Sequence, residues 1–234
     1  MKQKVAGVFL LVVIIIISIW GVNQYLDKQR YENYLSLQIA NNISTLISSI
    51  TANQQIYNEI ISSKTISLGQ VETLYDNNYS IVRITQDYQQ FAIALKRLDR
   101  DSVNNLPANN STNIANFFYL LIWDIAKEEG FDKDIRESHF PYELTYTSKF
   151  EVEQNEIEKI KKIRELNELW LTTIVENVVG VSDNGRLNPD VYFDTYKDEA
   201  VISEYWVDIV TEMDGYTRDF LEHNFLDNIG TILY

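Results

Sequence analysis

Imidazole groups are natural first candidates for chemistry, and the chain contains two of them, His139 and His223. Zinc sites combine histidine with further His, Cys or carboxylate ligands at set spacings, as in H-E-x-x-H, where one helical turn aligns two ligands. Neither histidine stands in such a pattern, and the chain has no cysteine. We therefore expect both histidines to be structural, and we predict no catalytic residue, no metal site and no cofactor.

Clustered carboxylates could instead hold calcium, which prefers hard oxygen ligands. The acids around Gly130 are Glu128, Glu129, Asp132, Asp134 and Glu137. The spacing of an EF-hand loop fits neither this cluster nor the turn at Gly185, so a solvated acidic turn is the favoured interpretation. Asp124 lies inside an apolar stretch, where a buried carboxylate would be costly unless paired. It could equally face the rim of that stretch or meet an arginine.

The charge of the chain excludes a large class of partners. The net charge is −14 at pH 7. Residues 1–30 carry four basic groups and one acid, a balance of +3, which leaves −17 on the remainder. Such a field repels phosphate backbones, so we predict no nucleic-acid binding. The glycines form no P-loop, G-x-G-x-x-G or G-x-S-x-G motif, so the common nucleotide and hydrolase signatures are absent from the sequence.

One segment has a direct physical interpretation. Residues 5–22 read VAGVFLLVVIIIISIWGV and carry no charge. At about 1.5 Å per residue they would cross most of a hydrocarbon core of roughly 30 Å. We predict a single transmembrane helix with the anchor residues Val5, Phe9, Leu10, Ile14, Ile17 and Trp20. No A-x-A cleavage pattern follows Ser18, so the segment is typical of a retained signal anchor and not of a removed signal peptide.

Basic residues on either side of this segment bear on its orientation. Two lysines precede it, and Lys28 and Arg30 follow it, so the positive-inside balance is close. A very short basic tail ahead of the span is the usual layout of a signal anchor. We therefore predict residues 1–4 in the cytoplasm and an acidic helical domain, residues 23–234, on the outer side of the cell membrane. The negative charge of that domain should hold it away from anionic headgroups.

The domain is expected to be helical, since helix breakers are scarce, with 3 prolines and 8 glycines. No proline precedes Pro107, so the anchor helix should continue into the domain. It then carries a heptad-like apolar seam, Ile39, Ile43, Leu46, Ile50, Tyr57 and Ile60, with Asn53 in the one polar position. Such a coiled-coil pattern could serve a homodimer as readily as a contact within the chain.

A second helix should follow the polar break at residues 62–65. Ser67 and Gln70 have the spacing of a capping box, which opens a helix. Its apolar seam is Leu74, Ile81, Ile84, Tyr88, Phe91, Leu95 and Leu98. Two long helices joined by a short link predict an antiparallel hairpin.

The second half of the chain predicts further helices. Residues 104–113 form a polar loop, and residues 114–126 are apolar nearly all round, which is typical of a central buried helix ended by Gly130. Residues 142–146 alternate as in a short strand or extended loop, and Ser148 with Glu151 would cap the next helix. Asn188 and Pro189 open a last long helix that runs to residue 228. The predicted fold is an all-α antiparallel bundle of about five helices.

Residues 190–234 hold eleven acids against Lys197 and Arg218, together with several tyrosines. A possible partner surface consists of Tyr192, Tyr205, Tyr216, Asp208 and Glu212. We therefore expect a membrane-anchored interaction module, part of an envelope complex and not an enzyme, with a protein as its partner. One alternative is a ligand-binding or sensor module that acts through a partner, and another is a metal-dependent or acid–base enzyme. The wealth of Asn, Ile, Lys and Tyr indicates an AT-rich bacterial genome.

Overall fold

The computed structural model describes residues 2–128 and 149–234, with side chains from Leu10 onward except at positions 12, 125, 126 and 128. The helices within these residues are α1 (Lys2–Ser63), α2 (Leu68–Ala94), α3 (Leu106–Glu128), α4 (Gln154–Asn177), α5 (Pro189–Tyr196), α6 (Tyr205–His223) and α7 (Gly230–Leu233). Two short strands, β1 (Thr65–Ser67) and β2 (Lys149–Glu151), and a 3-10 turn at Arg100–Ser102 complete this part. The all-α prediction is confirmed, with five long helices and two short ones.

Helix α1 is uninterrupted over 62 residues. It ends where Lys64 enters the left-handed region, with a φ of 54°, directly before β1. The prediction that the N-terminal apolar segment continues into the domain as one helix is confirmed. Among the residues that the structure describes, no helix combines the length and the apolar character needed to cross a bilayer. The side chains of Val5 and Phe9, two predicted anchor residues, lie outside the described part.

Helices α1 and α2 form the predicted antiparallel hairpin. Asn77 donates a hydrogen bond to Asn53 Oδ1 at 2.9 Å, and towards the other end of the hairpin Asn42 donates to the Tyr88 hydroxyl at 3.0 Å. All six apolar residues of the first seam are buried. Leu95 of the second seam is 43 % exposed, because α2 ends one residue earlier. Since α2 and α4 of the same chain cover the first seam, it is already used within the chain.

The capping box at the start of α2 is also confirmed. The Gln70 N–H donates to Ser67 Oγ at 3.3 Å, and the Ser67 N–H donates to Gln70 Oε1 at 3.0 Å. These two bonds satisfy backbone donors that the first turn of a helix leaves without partners. The local sequence therefore determines where this helix begins.

A small antiparallel sheet replaces the helix start predicted at Ser148 and Glu151. Ser148 lies outside the described residues, and Glu151 is the last residue of β2. Ile66 of β1 pairs with Phe150 of β2, and both side chains are buried. Helix α4 begins only at Gln154, without a side-chain cap. The prediction was wrong because a strand far away in sequence pairs with these residues, a contact that no local pattern reveals.

Helix α3 begins within the predicted polar loop, at Leu106. Pro107 occupies its first turn, where a missing N–H costs no helical hydrogen bond. The loop prediction for residues 104–113 was therefore wrong. Asp214 of α6 accepts the Leu106 N–H at 2.9 Å, so the helix is capped by a residue from another element.

The central position predicted for α3 is also wrong. Phe118 and Ile122 are buried against the rest of the bundle, whereas Tyr119 is 36 % and Leu120 46 % exposed. The helix packs along α2 and contacts α6 and α7 with one face only. Helix α3 is therefore not the fully buried centre of the bundle in the part of the chain that the structure describes.

The last helix is two helices, not one. Its predicted start is confirmed, since Asn188 Oδ1 accepts the Val191 N–H at 3.3 Å and Pro189 is the first helical residue. The chain then leaves the helix after Tyr196 and enters α6 only at Tyr205. The side chain of Arg97 satisfies the carbonyls of residues 201–203 in the linking loop. This distant donor makes the break possible.

The core lies between α1, α2, α4 and α6. Trp170 of α4 and Trp206 at the start of α6 are fully buried. Each indole nitrogen has a partner: Trp170 donates to Thr217 Oγ1 at 2.8 Å, and Trp206 donates to the carbonyl oxygen of Ala200 at 2.9 Å. The bundle thus closes on itself through α6, and its interaction surfaces must lie on the outward-facing sides of the helices.

Candidate interaction surfaces

The structure divides the predicted partner surface into buried and exposed residues. Tyr192 and Tyr205 are buried, so these two rings cannot form a surface. The Tyr192 hydroxyl donates to the carbonyl oxygen of Ala40 at 2.9 Å and lies 3.3 Å from the Tyr205 hydroxyl. Burial raises the pKa of both phenols well above the ordinary value. The prediction was wrong for them because they lie on the core-facing stripes of α5 and α6.

The other three residues lie on α6: Glu212 and Tyr216 face α4, and Asp208 lies near Glu204 and Arg97. We call Glu176, Asp208, Glu212, Tyr216 and Asp219 the acidic face. The negative charge of Glu176 is the main cause of a raised pKa at the Tyr216 phenol, and Glu212 and Asp219 add to it. Partial burial, assisted by Glu204, raises the pKa of Asp208. Asn177 donates to Glu212 Oε2 at 2.6 Å and holds that carboxylate in place. The acidic face is therefore a region of negative potential suited to a cationic partner.

The candidates for metal or acid–base chemistry that the structure describes, Asp124 and His223, are not grouped with other ligands. Within the described part of the chain, no three His, Asp or Glu side chains are grouped so as to hold a metal ion. His223 is exposed at the end of α6, and Asp124 is exposed on α3. His139 and the cluster at positions 129–137 lie outside the described residues, as does the side chain of Glu128.

Asp124 lines a groove of about 720 Å³ between α3, the start of α4 and the C-terminal residues. Its apolar lining consists of Phe117, Leu120, Leu121, Val152 and Leu233, and its carboxylates are Asp124, Glu151, Glu153 and Glu156. Lys159 donates to Glu156 at 2.9 Å and to the carbonyl oxygen of Leu233 at 3.1 Å. One carboxylate is thus neutralised by a lysine that also ties down the chain end. The groove has an acidic rim over an apolar floor.

A row of aromatic side chains crosses from α2 to α3. Tyr75 lies 4.7 Å from Tyr79 and 6.0 Å from Tyr119, whose ring lies 5.8 Å from Trp123. A hydrogen bond with the neighbouring Tyr79 is the main cause of a raised pKa at Tyr75. The sequence predictions did not include this row. The available signal was the apolar character of α3 on every side, which exceeds what one buried face requires.

The part of α1 just before the bundle is mostly exposed in the described structure. We call residues 23–35 the stalk, because nearly all of its side chains are exposed. The loop between α5 and α6 lies beside it and encloses a notch of about 480 Å³. Tyr25, Gln29 and Asn33 line the notch from the stalk, and Asp198, Glu199 and Ile202 line it from the loop. A side chain or helix end of a partner could enter there.

Comparisons with protein-family models, with curated proteins and with solved structures found no match for this chain. Function must therefore be argued from the surfaces themselves.

Proposed function

We propose that this protein is a single-pass, membrane-anchored module whose acidic helical domain lies outside the cytoplasm and binds a basic protein partner within an envelope complex. The observation that carries the proposal is the exposed apolar stretch at the start of α1. Its large side chains, Leu10, Leu11, Ile14, Ile15, Ile16, Ile17, Ile19, Trp20 and Val22, are each between 48 % and 65 % exposed. An apolar surface of this extent is stable only when lipid or protein covers it.

The distribution of charge supports a cationic protein partner. The acidic face joins carboxylates of α4 and α6 around the ring of Tyr216, and an aromatic ring among charges is typical of interface centres. Nucleic acids and anionic lipids carry the wrong sign for this surface. A second copy of the domain would also carry the same strong negative charge, so the acidic face favours a different protein over a homodimer.

Reporter fusions test the anchor and its orientation. An enzyme that is active only outside the cytoplasm, fused after Tyr234, should be active, and a reporter that requires the cytoplasm should be inactive. Placing lysines at Ile14, Ile15 and Ile16 should move the fusion to the soluble cytoplasmic fraction, because each central lysine disfavours insertion by about 3 kcal/mol. Lysine at Gln90, an exposed position on α2 far from the apolar stretch, should leave both readouts unchanged. An active cytoplasmic reporter with a silent external one would reverse the orientation.

Photocrosslinking in intact membranes tests the acidic face. A photoreactive amino acid in place of Tyr216 should give one adduct of defined mass, because this ring lies among the carboxylates that attract the partner. The same substitution at Tyr79, an exposed ring on α2 outside the acidic face, provides the matched control. Charge reversal by Asp208→Lys with Glu212→Lys should abolish the adduct. Recovery of the protein alone, or an adduct that survives charge reversal, would rule out this surface as the partner site.

A further inference from the structure

A second heptad seam of α1, which shares Ile43 and Ile50 with the first, runs through both the exposed and the buried parts of the helix. The positions of this seam from Ser36 onward are almost completely buried by the bundle: Ser36, Ala40, Ile43, Ile47 and Ile50. The same spacing of three and four residues continues towards the N-terminus through Asn33, Gln29, Leu26, Val22, Ile19 and Ile15. All of these lower side chains are exposed. Below Ser36, therefore, no described part of the chain covers the seam that the bundle covers above it.

The loop between α5 and α6 contacts this seam at Ser36, where the buried part of the seam begins. The Val201 N–H donates to Ser36 Oγ at 3.1 Å, which fixes the loop against α1 at the lowest buried position. Ile202, the next residue, is 66 % exposed and faces the notch. A helix that follows the seam upward from the membrane must therefore end in the notch. A second α1 aligned in parallel along this seam would meet the loop, because α1 continues unbroken past Ser36, so the seam favours a helix that ends there.

The charges of the notch indicate the chemistry of that helix end. Among the described residues that line it, Glu32, Asp198 and Glu199 are the carboxylates and Lys28 is the cation. Lys28 already pairs with Glu32 at 3.4 Å. Lys197 pairs with Asp194 at 3.0 Å and also interacts electrostatically with Asp198. The loop still carries a net negative charge, which favours a partner that brings Lys or Arg and repels an acidic helix end.

We infer that the stalk and notch bind the outer end of a membrane helix from another protein, an end that carries lysine or arginine and stops beneath the loop between α5 and α6. The occupant packs on Leu26 and Ile202, and its basic groups face Asp198 and Glu199. This inference rests on the proposed membrane anchoring and names the class of partner that shares the membrane.

The absence of native cysteine permits a direct test on the full chain in phosphatidylcholine vesicles. The probe is a synthetic leucine–alanine helix that spans the bilayer, continues for two turns and ends in two lysines and a cysteine. A matched peptide ends in two glutamates and a cysteine. Gln29→Cys places a thiol in the notch, and Tyr31→Cys places one at the same height about 200° around the helix. Oxidative disulfide crosslinking measures which thiol each peptide reaches.

The lysine-tipped peptide should crosslink to Gln29→Cys with a yield on the order of tenfold above that of the glutamate-tipped peptide, because two charge pairs change to two repulsions. It should also exceed the yield at Tyr31→Cys. Asp198→Lys with Glu199→Lys should reverse the preference. Equal yields at both positions, or Gln29→Cys dimers in their place, overturn the inference. Flotation of the chain with the vesicles is read separately: a chain that does not float overturns the anchoring and this inference together.

Discussion

Replacing Arg97 with alanine should lower the free energy of unfolding by about 3 kcal/mol, the scale for breaking a largely buried charged network. The guanidinium donates to the carbonyls of residues 201–203 at 2.8, 3.2 and 2.7 Å. It also pairs with Glu204 at 2.6 Å and lies 5.1 Å from the centre of the Trp206 ring. Alanine leaves these carbonyls without their donor, at a point where no helix supplies another.

Thermal unfolding of the full chain in detergent measures this effect. For a domain of this size, 3 kcal/mol corresponds to a fall in Tm of roughly 6–12 °C. Arg97→Lys should lie between the alanine variant and the native protein, because an ammonium keeps the charge but loses the planar fork. Arg83→Ala, at an exposed arginine within α2, should change stability by less than about 0.5 kcal/mol. If the Arg97 and Arg83 variants unfold alike, the network does not hold the loop.

The same arginine shows why the sequence predicted some helices well and others badly. The seams of α1 and α2 could be predicted because burial repeats every three or four residues and the capping residues are neighbours in sequence. The break between α5 and α6 could not, because its hydrogen-bond donor is Arg97, about 104 residues earlier. Asp198 and Glu199 are compatible with a helix, so propensity alone gives no stop signal there. Contacts between distant residues therefore decide where these elements end.

The interaction surfaces, too, could be predicted from the sequence only in part. Much of the acidic face could be predicted, because carboxylates are concentrated in the C-terminal segment. The predicted partner surface already included Asp208, Glu212 and Tyr216. Burial of individual tyrosines was not predictable, since Tyr192 and Tyr205 stand in the same acidic segment as Tyr216. Only the packing of α5 against α1, and of α6 against α2 and α4, distinguishes them. The notch depends on a loop position that Arg97 and Ser36 fix together, so no local pattern could predict it.

Replacing Asp214 with asparagine should cost about 2–3 kcal/mol, the scale for hydrogen bonds to a charged group that is removed from water. The carboxylate is almost completely buried, and it accepts the backbone N–H groups of Leu106 and Asn104 at 2.9 and 3.2 Å. Arg218 donates to its other oxygen at 2.9 Å. Asparagine retains the shape but offers one acceptor oxygen, and its NH₂ group faces donors instead of accepting from them.

A local measurement separates this cap from a general loss of stability. Hydrogen exchange at the Leu106 amide should accelerate more than exchange in the buried middle of α1. The reason is that the first turn of α3 loses the acceptor that Asp214 of α6 supplies. Arg218→Ala should cost less than about 1 kcal/mol, since the guanidinium is 42 % exposed. The double variant should cost less than the sum of the two single changes, as expected for residues in one network. Uniform acceleration across all helices would contradict a capping role, because the carboxylate would then stabilise the whole bundle and not the start of α3.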